Sequence, residues 1–95
     1  MKRSFYVVIT LIPRKENGII TAKHLSMITG YTETFIRKII NEARSAGYPI
    51  CSNRHGYYLS TECSDISDTI KFLSRRINTQ LQAINGLKNI NEKEK

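Results

Sequence analysis

The feature that most constrains this chain is a pair of cappable helices held three residues apart. The second is the stronger: Ile36, Ile39, Ile40 and Ala43 recur at i, i+3, i+4 and i+7, so one apolar stripe runs along a helix spanning 33–46, ahead of Gly47. Thr32 supplies a capping hydroxyl, and Glu33 places a carboxylate at the positive helix end. Before it, Thr21 caps a helix over 22–29 with Leu25 and Ile28 on one side, and Gly30 offers the left-handed conformation that closes it. Helices tied this closely share a core, with Ser26 as the small residue facing the turn and Leu25, Ile28, Ile36 and Ile40 as its buried contacts. An ordinary helical hairpin carries the same signature, so the flanking segments decide what the pair belongs to.

Phe5 to Ile12 is apolar all round and rich in β-branched residues, which by propensity alone favours a strand. It is expected to be a helix, because Pro13 ends it, Arg14 to Gly18 forms a polar loop, and the two helices beyond need a third to cover them. Pro49-Ile50-Cys51-Ser52 and Tyr57-Tyr58-Leu59-Ser60 flank Asn53-Arg54-His55-Gly56, a polar loop of hairpin length with the required glycine. Tyr57 and Tyr58 alternate across the strand, so one is expected in the core and the other outside. From Asp65 to residue 88, Ile66, Ile70, Leu73, Ile77, Ile84 and Leu87 fall at alternating three- and four-residue steps, with Gln80 as a polar interruption and Leu81 beside it. That predicts a last helix with a heptad seam, followed by a polar, frayed tail over 89–95. The expected fold class is thus mainly α with a small β-hairpin (α+β): a domain over 1–61, a C-terminal helix within 62–88, and the tail.

Ninety-five residues fill one core, and 40% hydrophobic with 24% charged residues is a globular composition. The apolar start is followed by Pro13, Arg14 and Lys15 where a leader would carry small residues, so it reads as mature core and the protein as cytoplasmic. Two cysteines make no disulfide framework. The net charge of +7 is local: residues 1–61 hold nine Lys/Arg against three Glu, and residues 62–95 hold six against five acids. A positive field concentrated on one part of a small domain attracts polyanions, nucleic acid first.

Ala22-Lys23-His24-Leu25-Ser26, Gly30-Tyr31-Thr32, Ala46-Gly47-Tyr48-Pro49-Ile50 and Gly56-Tyr57-Tyr58-Leu59, in this order, resemble the amino-terminal winged-helix domain of the biotin-operon repressor family over about residues 5–60. The Rrf2-type repressors are a weaker match and their cysteine cluster is missing. The resemblance implies a winged helix-turn-helix of three helices and a two-stranded wing, which binds DNA through the second helix of the motif and the wing. It brings no ligand with it, since the ligase domain of the first family has no counterpart here.

The residues point the same way independently. Opposite the isoleucines, the 33–46 helix carries Thr34, Arg37, Lys38, Asn41 and Ser45, with Arg44 at the margin. Arg and Lys donate to guanine, Asn pairs with adenine, and Thr meets a thymine methyl or a phosphate. A merely solvated face mixes in acids, and here only Glu33 and Glu42 stand at its edges. Arg54 and His55 at the tip of the wing, 50–60, are candidates for the flanking backbone or minor groove. Lys23 and the cap hydroxyls of Thr21 and Thr32 suit phosphate, and Lys2 and Arg3 could form a basic arm.

Phe35 reads as packing. His24, Cys51, His55 and Cys63 have no finger-like spacing, no phosphate loop or activated nucleophile stands out, and no cofactor, metal, membrane or small-molecule substrate is expected. The protein is expected to be a non-enzymatic, sequence-specific binder of double-stranded DNA, a transcriptional regulator. The competing readings are a replication or recombination accessory factor of mobile-element type, and a winged helix used only for protein contact. Ile70, Leu73, Ile77, Leu81, Ile84 and Leu87 are expected to make a homodimer, the alternative being that the stripe folds back on the first helix as core.

Overall fold

The structure, a computed structural model, describes residues 2–93. In chain order it contains α1 (Arg3–Leu11), a 3₁₀ turn (Lys15–Asn17), α2 (Ala22–Thr29), α3 (Glu33–Ser45), β1 (Ile50–Asn53), β2 (Gly56–Leu59) and α4 (Cys63–Lys93). It is mainly helical with one small antiparallel hairpin.

The β-branched run at the start is helical because tertiary packing overrides its propensity. Phe5, Val8 and Ile12, at three- and four-residue steps, are all at most 4% exposed, and α1 lays this stripe on α2 and α3. Lys2 is its N-cap residue and Arg3 its first helical residue, so the two begin a helix and form no separate arm. Pro13 ends it by holding Ile12 extended.

Both middle helices are capped as their sequences require. Thr21 Oγ1 accepts from the His24 N–H (3.0 Å) and Thr32 Oγ1 from the Phe35 N–H (3.1 Å). Gly30, at φ 80°, ends α2. In α3, Ile36, Ile39, Ile40 and Ala43 are all buried, as the periodicity demands. Ile28 is not: it is 52% exposed. The inward arc of α2 is Ala22, Leu25, Ser26 and Thr29, and Ile28 stands roughly 110° from its centre at about 100° per residue. The two polar members are satisfied locally, Ser26 donating to the Tyr31 carbonyl and Thr29 to that of Leu25. Hydrophobicity alone selects Ile28; the crossing of the helices selects Ser26 and Thr29.

In the hairpin Ile50 pairs with Leu59, Cys51 with Tyr58, Ser52 with Tyr57 and Asn53 with Gly56. Asn53 Oδ1 accepts from the His55 N–H (2.7 Å) and shapes the tip. Ile20 pairs with Tyr57 through two backbone hydrogen bonds, 3.0 and 2.7 Å, which ties the hairpin to the entrance of α2. Gly56 lies at φ 140°, where a Cβ would overlap the Ile20 carbonyl. Tyr58 is buried and Tyr57 half-buried. The core is formed by α1, α2, α3, Ile20 and Ile50, with Tyr31, Tyr57 and Leu59 packed against it.

Only the first turns of α4 touch this core. The Asp65 carboxylate accepts from Lys15 Nζ (2.9 and 3.0 Å) and from Ser60 Oγ (2.7 Å). Thr69 Oγ1 accepts from the Ser52 N–H (3.1 Å). Phe72 and Leu73 are half-buried, and beyond them every described side chain of the helix is exposed. One expectation is corrected here, and the alternative for the seam is set aside. The helix extends over both predicted ends, since a nucleated helix propagates through exposed Asn and Lys at little cost and no proline stops it, so 89–93 is helix, not frayed tail. Residues 94–95 lie outside the described residues. The seam also does not fold back as core: Ile70, Ile77, Leu81, Ile84 and Leu87 are each 47–64% exposed, and α1 is covered by α2 and α3 instead. Among the described residues no helix is long and apolar enough to cross a membrane.

Candidate nucleic-acid interface

The caps and the isoleucine stripe fix how α3 is rotated, and that rotation decides which side chains face outward. With the stripe inward, Thr34, Arg37, Lys38, Asn41 and Ser45 stand exposed along the opposite face and line a shallow groove with Glu42. Arg37 is held loosely by Glu33 one turn back, at 3.3 Å with both side chains about half exposed (54% and 45%). Such a pair is weak and yields readily to a polyanion. Neither Lys38 nor Asn41 has a side-chain hydrogen bond among the described residues, and Ser45 donates to the Asn41 carbonyl.

Arg44 behaves differently from its neighbours. It lies roughly 90° from the centre of the stripe, at about 100° per residue, so its side chain reaches sideways and not outward. Its Nε donates to the Ile50 carbonyl (2.9 Å), a terminal nitrogen donates to Ser52 Oγ (2.9 Å), and the guanidinium covers the Tyr57 ring at 5.8 Å. Burial pushes its pKa below the ordinary guanidinium value. A guanidinium stays protonated through such a shift. Arg44 is thus a rivet between α3 and β1, half-buried at the edge of the cleft and not on the outward face.

Arg54 and His55 occupy the hairpin tip, both exposed, with Arg54 Nε donating to His55 Nε2 at 3.4 Å. Thr32 spends its oxygen on the cap and keeps its O–H for an outside acceptor. Lys23 is exposed in the first turn of α2. The structure gathers Lys23, Arg37, Arg44, Arg54 and His55 around one open cleft of about 310 Å³. Lys38 and Asn41 lie outside it, along the groove of α3.

No protein-family model, curated protein or solved structure matches this chain.

The cleft also contains Phe72 and Arg76 of α4, which the sequence does not mark as site residues, together with Asn53 and Tyr57 from the hairpin. The signal for Arg76 was present but weak. It continues the line Asp65, Thr69, Phe72 at four- and three-residue steps, and that line can be recognised as a packed face only once α4 is known to lie on β1. The cleft carries five Lys/Arg side chains against the single carboxylate of Glu33. Such a concentration of one sign in a concave surface focuses field and favours a ligand with several negative charges. The two free thiols lie away from it: Cys51 is buried in β1 with Sγ near the Ser60 carbonyl, and Cys63 is exposed at the start of α4.

Proposed function

We propose that this chain is a winged helix-turn-helix protein that binds double-stranded DNA in a sequence-specific way and acts as a transcriptional regulator. In this reading α3 enters the major groove, the hairpin is the wing on the flanking backbone or minor groove, and Lys23 and Thr32 position the domain on phosphates. The observation that carries it is the outward face of α3. Thr34, Arg37, Lys38 and Asn41 stand clear of the fold beside a hairpin tipped by Arg54, with the acids Glu33, weakly paired to Arg37, and Glu42 at the edges of the face. A helix face held by the Thr32 cap and a buried stripe can place bidentate donors against base edges. A winged helix-turn-helix is also what the sequence resemblance to the biotin-operon repressor family implies.

The exposed seam on α4 supports a homodimer. Ile70, Ile77, Leu81, Ile84 and Leu87 form a stripe along a 31-residue helix, and a coiled pair would bury them. Two-fold pairing brings two copies of α3 to one duplex and implies half-sites related by symmetry. A second reading, an accessory factor in replication or recombination, draws on the same helix, because an exposed apolar arm can equally hold a protein partner.

The deciding experiment is selection of binding sites from random duplex DNA, followed by titration of the winner across salt. Neutralising ~4–6 phosphates per subunit makes log K fall steeply with log salt, about 0.9 per contact. Enrichment of no sequence, or an affinity insensitive to salt, refutes the reading.

A further inference from the structure

The long C-terminal helix carries, besides its apolar seam, one cation aimed at the cleft between α3 and the hairpin. We infer that Arg76 of α4 is a phosphate-binding residue, so that α4 contributes a third contact to the duplex held by α3 and the wing. This rests on the DNA-binding reading and extends it to an element that a minimal winged domain ends before.

Four observations carry the inference. The packed face of α4 begins at Asp65 and Thr69, both buried, and passes through the half-buried Phe72, so the helix is held against β1 up to the turn before Arg76. Arg76 then lies over the Phe72 ring, its guanidinium carbon 6.0 Å from the ring centroid, which orients the fork while leaving its donors open. The same side chain lines the cleft with Lys23 and Arg54. Finally, the other guanidinium groups of the cleft have polar partners: Arg37 has Glu33, Arg44 has Ile50 and Ser52, and Arg54 has His55. Among the described residues no carboxylate lies within 4.0 Å of Arg76.

The ligand chemistry follows from the surroundings. A fork of donors without an acid, set beside Lys23 and Arg54, suits a phosphodiester oxygen. The cleft shares Arg37 with the groove of α3, so the phosphate is one that flanks the groove α3 enters. The contact is compatible with pairing through the seam: Arg76 stands roughly 90° around α4 from the middle of the stripe formed by Ile70, Ile77, Leu81, Ile84 and Leu87, at about 100° per residue, so it borders a partner helix and is not buried beneath it.

The test uses the full chain and a duplex that it binds, titrated by fluorescence anisotropy from 50 to 300 mM salt. Arg76→Ala is expected to make the slope of log K against log salt shallower by about 0.9, and to weaken binding about eight-fold at 0.1 M salt, ten raised to that power. The loss falls equally on preferred and random duplexes. Arg76→Lys keeps the charge and is expected to hold the wild-type slope. Lys71→Ala removes the same charge from roughly 140° around the helix, at about 100° per residue, and is expected to match wild type. A wild-type slope for Arg76→Ala, or an equal loss for Lys71→Ala, overturns the assignment while leaving the DNA-binding reading intact. A wild-type protein that binds no duplex even at the lowest salt overturns both.

Discussion

Replacing Arg44 with alanine separates a rivet from a reading residue, because the two roles predict opposite results. The guanidinium makes two charged hydrogen bonds, both 2.9 Å, and covers the Tyr57 ring. Hydrogen bonds to a charged group contribute about 1.5–3 kcal/mol each when buried, and a ring contact about 0.5–1 kcal/mol. Arg44 is only half-buried, so water replaces part of both, and a net loss of about 2 kcal/mol is the reasonable expectation. For a domain of this size each kcal/mol shifts Tm by about 4–8 °C, so Arg44→Ala is expected to melt about 10 °C below wild type. Urea unfolding followed by far-UV circular dichroism checks it: the midpoint should fall with the m-value unchanged. Arg44→Lys should recover little, since a single ammonium cannot span both acceptors and the ring. Arg37→Ala, the internal control on the exposed face, should stay within about 0.5 kcal/mol of wild type. If Arg44→Ala melts within ~2 °C of wild type and instead loses base preference, the side chain faces the ligand and the rivet argument is wrong.

Arg37→Ala or Asn41→Ala should cost about 1–3 kcal/mol on the selected site and relax base preference, whereas Lys23→Ala or Arg54→Ala should weaken all duplexes evenly; competition titrations with single-base variants read the difference. Hydrogen bonding from Ser60 and then Lys15 holds the Asp65 carboxyl below its ordinary pKa of 3.8. The group therefore contributes stability above pH 3.8 that is lost as pH falls from there through the folded value. Asp65→Asn should be less stable than wild type at neutral pH, with the gap closing in acid; equal Tm values at pH 7 would count against the anchor. Ile77→Glu or Leu81→Glu should abolish the proposed dimer by placing a charge in the seam, a change read by sedimentation at micromolar concentration. A wild-type chain that sediments as a monomer removes the basis of that prediction. Truncation after Glu62 should leave a folded domain, because the core lies within Phe5 to Ile50 with cover from Tyr57 and Leu59; loss of the melting transition would show that α4 is part of it.

The local decisions in this protein were legible in its residues. Thr21, Thr32 and Gly30 mark helix ends because capping is a contact between a side chain or glycine and backbone a few residues away. The Ile36, Ile39, Ile40, Ala43 stripe sets the rotation of α3 and with it the outward set Thr34, Arg37, Lys38 and Asn41, since helical periodicity links one face to the other. The hairpin, too, followed from turn chemistry at Asn53 and Gly56. What depends on the placing of one element against another was decided by tertiary structure alone. Ser26 and Thr29, not Ile28, face the core, because the crossing of α2 with α3 chooses the inward arc and hydrophobicity does not. Arg44, at the margin of the outer face, turns to the hairpin because β1 supplies acceptors within its reach. The apolar seam of α4 is left in solvent because α1 already has its cover from α2 and α3, and Arg76 joins the cleft because Asp65 and Thr69 pin the helix to the sheet. Periodicity states which residues share a face; only the positions of the neighbouring elements determine what that face meets.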